Sequence, residues 1–159
     1  MTEAKHALTR RNALIAAIAI GIMLGLPAGV GSFTFVYADG ASYFYDDPAA
    51  SANCHVMDTH YDAWIKSSHK NVATCNDCHT PKGLVPKYFV KAVNGWNHSV
   101  AFTTGNFPDP LQITKFNRGV TENACRACHT TFTSAVDPGH SGPDALSCIR
   151  CHSDVGHMY

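Results

Sequence analysis

Cys75-Asn76-Asp77-Cys78-His79 limits what this chain can fold into more than any other feature, because its spacing recurs. The same C-x-x-C-H pattern returns at Cys125-Arg126-Ala127-Cys128-His129 and at Cys148-Ile149-Arg150-Cys151-His152. Two thiols three positions apart, with His directly after them, form the attachment signature of c-type haem. The thiols add to the two vinyl groups, and the His reaches the iron from the proximal side. A zinc site is the rival reading, since C-x-x-C pairs also bind zinc. Disulfides are a weaker third, because seven Cys cannot all pair within one chain. Three copies, each followed by His, on the outer side of a membrane anchor, point to haem.

A fourth element is incomplete. Ser51-Ala52-Asn53-Cys54-His55 has the same spacing, with Ser in place of the first Cys. A chance Cys-His pair is the bland alternative. This element accounts for the odd seventh Cys and follows closely on the anchor, so a haem held by one thioether, at Cys54, is expected.

The anchor is the stretch Ala13 to Ala38, 26 residues without a charged side chain. About 20 apolar residues suffice for a helix to cross the hydrocarbon core. Lys5, Arg10 and Arg11 precede it and Asp39 follows. The positive-inside rule then places residues 1–12 in the cytoplasm and residues 39–159 across the membrane, in a bacterium the periplasm. Tyr37, Tyr43, Phe44 and Tyr45 fall where an interfacial aromatic belt is expected. A cleaved signal peptide would share the charged start, but its apolar region usually spans only about 7–15 residues. Pro27 and Gly29 are potential kink points that membrane helices tolerate.

Residues 39–159 hold all seven Cys and nine of the ten His. Helical stretches are predicted at 58–68, 82–98 and 120–131, with polar loops over about 103–119 and 133–147. The apolar side chains look too sparse for a conventional core of 121 residues. The expected fold is mainly α: one transmembrane helix, then a compact multihaem domain of short helices and loops. Charged residues make up 15% of the chain, with 12 basic and 12 acidic. The zero net charge removes a case for nucleic-acid binding, which needs a clustered basic surface.

One anchor followed by four such motifs, with CHVM at 54–57, CNDCHTP at 75–81, ACRACHT at 124–130 and CIRCHSDVGHM at 148–158, resembles the NapC/NirT family of membrane-anchored tetrahaem quinol dehydrogenases. The short length is most like the small, quinol-oxidising subunits of cytochrome c nitrite reductases. The resemblance implies four haem c groups and menaquinol as electron donor. It also implies delivery to the catalytic subunit of a periplasmic multihaem nitrite reductase, in a hetero-oligomer at the cytoplasmic membrane. Nitrite would be reduced on that partner, not on this chain. A general electron-transfer hub serving other periplasmic reductases is the alternative.

The resemblance also implies residue roles. Met57 takes the place of His55 as axial ligand of the first haem, and a thioether ligand raises the potential. His55 with Met57 merely packed nearby is the alternative. His79, His129 and His152 are the motif ligands, and His69 and His157 match distal-ligand positions. A further distal ligand is missing. His60, His140 or a lysine of the catalytic partner could supply it. The segment Pro81 to Val100 reads as an amphipathic helix with Leu84, Val85, Tyr88, Phe89, Ala92, Val93 and Trp96 as its apolar stripe. A helix packed on haem is the competing reading. Lys91 and His98 fall at the positions that line the family's quinol pocket. Some members carry Asp where His98 stands. Imidazole, with a reference pKa of about 6.5, could accept a quinol proton or could ligate the first iron.

Overall fold

In the computed structural model, residues 2–136 and 146–157 are described, and they divide into two compact units, 1–41 and 42–159. Among the described residues every regular element is helical.

The first unit is a single helix, α1, Thr2–Tyr37. It starts earlier than the uncharged stretch, because residues 2–12 contain no helix breaker and extend the helix by one hydrogen bond per residue. Pro27 lies inside it without ending it. Its large apolar side chains are all exposed, from Leu8 at 50% to Tyr37 at 83%. In water that would be unstable, whereas in lipid it is the surface a spanning helix needs. It is one helix long and apolar enough to cross a membrane.

The second unit begins with a 3-10 turn, Gly40–Phe44, that straddles the boundary. It continues through α2 (Pro48–Ser51), a 3-10 turn at His55–Met57, and α3 (Asp58–Ile65). Then come α4 (Cys75–His79), α5 (Leu84–Thr104), α6 (Lys115–Cys128), α7 (Thr130–Val136) and α8 (Cys148–Cys151). α3 is shorter than predicted. α5 runs six residues past the predicted end and stops at Gly105, whose φ of 68° is the left-handed cap that glycine accepts readily. The predicted 103–119 loop is correspondingly shorter, because Thr114 caps α6 by accepting a hydrogen bond from the Asn117 N–H at 3.3 Å. The predicted loop from 133 also begins later, after α7; residues 137–145, including His140, lie outside the described residues.

The interior of this unit is thin. Among the described residues, the buried apolar side chains are Ala63 and Val90. Ties between polar groups take over part of the work. The residues between the paired cysteines supply several of them. Asn76 Nδ2 donates to the Tyr45 carbonyl at 3.1 Å and to Asp46 Oδ1 at 2.7 Å. Asp77 accepts from the backbone N–H and the hydroxyl of Thr74, closing a capping box at the start of α4. Arg126 donates to the Leu146 carbonyl, joining α6 to the segment that enters α8.

Candidate functional site

Each complete C-x-x-C-H is one turn of helix. Cys75 and Cys78 open and nearly close α4, Cys125 and Cys128 end α6, and Cys148 and Cys151 bound α8. Positions three apart on a helix share a face, so each thiol pair points one way. His129 and His152 stand at the C-terminal caps of α6 and α8. None of the seven cysteines is paired in a disulfide. Burial raises the thiol pKa of Cys75, Cys78 and Cys148, and pushes Cys125 up to about 11.

The donor chemistry decides between haem and a bare ion. Among the described residues, no group of three or more His, Cys, Asp or Glu is placed to hold a metal ion. A structural zinc needs four such donors. A porphyrin already supplies four nitrogens to its iron and asks the chain for axial ligands alone, with covalent attachment through thiols. One-turn thiol pairs each ending in a His fit that demand. A domain with so little aliphatic interior also fits a group that brings its own apolar faces.

The histidines converge from distant parts of the chain. The rings of His69 and His129 lie 6.2 Å apart. His69 Nδ1 is 3.2 Å from the Val155 carbonyl and 3.1 Å from Ser68 Oγ. His157 stands 5.9 Å from His79 and 5.1 Å from His60, ring to ring, although it follows His152 closely in sequence. Its Nδ1 lies 3.3 Å from the His60 carbonyl. Burial, with His157 and His60 nearby, lowers the His79 pKa to about 4. The imidazole is then neutral, the form that ligates metals. His60 was the weaker reading from sequence, and nothing in its local pattern signals its nearness to His157. Burial, with His157 beside it, lowers its pKa as well.

At the incomplete motif, Cys54 caps the 3-10 turn His55–Met57. Met57 is partly buried, whereas His55 is exposed. Ser51 ends α2.

α5 has two unlike faces. Val85, Phe89 and Trp96 recur at helical spacing and are 78%, 61% and 72% exposed. Lys91, 8% exposed, lies on the other side with Val90. Its ammonium donates to the Tyr45 carbonyl at 2.8 Å and stands 3.5 Å from Asp46, which also pairs with Lys87 at 2.5 Å. Burial lowers the Lys91 pKa, against the pull of Asp46. Two turns later His98 Nδ1 meets the Tyr43 hydroxyl at 3.0 Å. Burial of the imidazole lowers the His98 pKa, although the residue as a whole is exposed. Lys91 and His98 are thus two of the points where α5 holds the segment 43–46, beside Lys87 on Asp46 and the Tyr88 hydroxyl on the Phe44 carbonyl. Tyr43 has a raised pKa, from burial and from the Cys54 thiol close by. A shallow polar pocket of about 290 Å³ lies nearby, lined by Asp46, Asp77, Lys82 and Lys87 among others.

The sequence matches the NapC/NirT cytochrome c family, N-terminal region, over residues 9–159. It is 39% identical over 137 residues to the cytochrome c-type protein NrfH of Wolinella succinogenes, covering 77% of each chain. It is 31% identical to the cytochrome c nitrite reductase subunit NrfH of Nitratidesulfovibrio vulgaris, covering 86% of this chain and 82% of that one. The structure is similar to a chain in the crystal structure of the cytochrome c nitrite reductase NrfHA complex bound to the HQNO inhibitor. The TM-score is 0.62 at 28% identity, over 86% of this chain and 90% of that chain. Three helical thiol pairs, an apolar helix of membrane-spanning length and a match along nearly the whole sequence lead to one conclusion: the chain is a single-pass, haem c-carrying membrane protein that belongs to the NapC/NirT cytochrome c family.

Proposed function

We propose that this chain is the quinol-oxidising subunit of a cytochrome c nitrite reductase, taking electrons from menaquinol and passing them to a multihaem catalytic partner in the periplasm. The observation that carries this reading is the likeness, over most of both chains, to a subunit of the nitrite reductase complex. A general hub serving several reductases has no comparable support, because two of the similar proteins named above belong to nitrite reductases. α1 would sit in the cytoplasmic membrane with its basic start inside, by the positive-inside rule.

Four haem c groups would be held, three by thiol pairs and the first by Cys54 alone. When bound, they supply reversible one-electron iron chemistry. The chain's own residues do the rest. Met57, the better buried of the two candidates, would ligate the first iron in place of His55. His69 and His129 would hold one iron between them, since 6.2 Å suits two metal–imidazole bonds of about 2 Å each plus the two ring radii. His79 and His152 complete the motif ligands, and His157 serves as a second distal ligand. The remaining one falls to His60, His140 or a lysine of the partner.

Quinol is apolar and docks at bilayer depth. The exposed stripe of Val85, Phe89 and Trp96 suits a helix lying in the membrane interface. Lys91 and His98 would supply the polar groups of the pocket beside the first haem, with His98 accepting a quinol proton. Purification in mild detergent tests the reading as a whole. The expected result is a stable complex with a larger multihaem protein that reduces nitrite. A chain that purifies alone and reduces many soluble acceptors equally well would overturn it.

A further inference from the structure

Tyr43 is fastened to α5 at two points. Its ring lies over Gly95, where a Cβ would come 3.4 Å from the ring carbon Cε1. Its hydroxyl lies 3.0 Å from His98 Nδ1. Gly95 and His98 are three apart and share a helix face. The phenol lies against the helix at Gly95, where nothing larger than a methyl group would fit beneath it, with its oxygen one turn along, at the imidazole. Tyr43 comes from the 3-10 turn, with Cys54 beside it. Lys91, two turns earlier on α5, is turned to the Tyr45 carbonyl and Asp46.

A phenol can donate to a ring nitrogen or accept from it, and the choice sets the tautomer. If Tyr43 donates to Nδ1, the proton of the neutral ring sits on Nε2, which then cannot take another. If Tyr43 accepts from Nδ1–H, Nε2 keeps its lone pair. We propose that Tyr43 is the positioning residue of the quinol site: its oxygen accepts the Nδ1–H of His98 and so presents Nε2 as the base. This rests on the reading of His98 as proton acceptor. Menaquinol loses two electrons and two protons in becoming menaquinone. The electrons leave to haem c. As one quinol O–H breaks, its proton goes to Nε2, and the second proton goes to water. Tyr43 stays protonated throughout. The positive ring that results still donates from Nδ1, so the same bond is strengthened by the new charge.

The two directions of the bond predict opposite results for Tyr43→Phe. Losing an acceptor destabilises the charged ring and lowers the His98 pKa. Losing a donor releases the neutral ring and raises it. The experiment uses the full chain in its complex, in lipid vesicles. The pH dependence of diethyl pyrocarbonate labelling at His98, read by peptide mass, gives the pKa without turnover. Y43F is expected to lower it by about one unit and to slow menaquinol-analogue oxidation about tenfold. KM and the first-haem spectrum stay unchanged, and Y43F/H98A is no slower than H98A. An unchanged or raised pKa overturns the proposal, as does additive slowing in the double variant. A normal rate in H98A alone sinks the reading of His98 itself. A slow H98A with a normal Y43F leaves that reading standing and removes Tyr43. Should Y43F lose haem, the pKa is read instead in Gly95→Leu, which lifts the phenol off the helix and is expected to lower it likewise.

Discussion

The carboxylate of Glu122 accepts a hydrogen bond from the backbone N–H of Cys148, 2.9 Å away and 26 positions along the chain. The same carboxylate accepts from the Ser147 hydroxyl at 2.5 Å and the Ile149 N–H at 3.1 Å. These N–H groups belong to the first turn of α8, where an anion also meets the favourable end of the helix dipole. Arg126, one turn further along α6, donates to the Leu146 carbonyl. The third and fourth attachment motifs are therefore clasped together by side chains of α6, independently of any apolar packing.

Glu122→Ala should loosen the fourth motif at a cost of about 1–3 kcal/mol, the usual penalty for orphaning part-buried donors. The pH dependence follows from the carboxyl itself. Burial pushes it up, but the bonds from Ser147, Cys148 and Ile149 outweigh burial and hold its pKa below the ordinary value. A depressed folded pKa gives stability that is complete above the unfolded value of about 4.3 and is lost as pH falls through the folded one. Thermal midpoints measured from pH 7 to pH 3 should fall further in the parent than in Glu122→Gln, where the remaining fall comes from other carboxyls such as Asp46.

The haem count is open to direct weighing. Mass spectrometry of the denatured protein should show four added haem masses, one of them on the peptide with Cys54. Ser51→Cys should leave the count at four while adding a second thioether to that peptide. Three haems with an unmodified Cys54 would remove the first site.

Met57 and His55 differ in burial, and their variants should differ in spectrum. Met57→Ala is expected to alter the first-haem absorbance and lower its potential, because a thioether ligand favours reduced iron. His55→Ala should leave both unchanged. The reverse pattern, seen in a redox titration, would give the iron to His55.

Gly95 sits in the interior of α5 with its would-be Cβ at van der Waals distance from Tyr43. Gly95→Ala should therefore gain about 0.5–1 kcal/mol from helix propensity without displacing the ring. A higher thermal midpoint in detergent with unaltered quinol oxidation is the expected result. A lower midpoint would mean that the Tyr43 ring cannot tolerate even a methyl group.

α5 can be tested for contact with lipid through Trp96, which is 72% exposed. In a Trp64→Phe background, brominated phospholipids should quench the remaining fluorescence. Trp64, whose Nε1 donates to the Ala73 carbonyl at 3.0 Å, should be shielded in the reciprocal Trp96→Phe variant. Equal quenching of the two would deny α5 its place in the interface.

Much of this protein is local chemistry, and local chemistry is legible in sequence. Cys75, Cys78 and His79 lie within one turn of helix, so their spacing alone declares the haem-type motif. The uncharged run from Ala13 has the length of a bilayer, whatever surrounds it. The amphipathic pattern of 82–98 marks α5, although its end at Gly105 depends on a left-handed glycine cap that periodicity does not reveal. What tertiary structure decided are the meetings between distant residues. His157 follows the fourth motif in sequence, yet its ring stands by His60 and His79, because the closing segment folds back onto α3 and α4. Lys91 and His98 were singled out by the family resemblance, but their partners Tyr45, Asp46 and Tyr43 were not. The reason is physical. A helix face is a property of spacing, whereas a hydrogen bond across 55 positions exists only once two elements have been packed together.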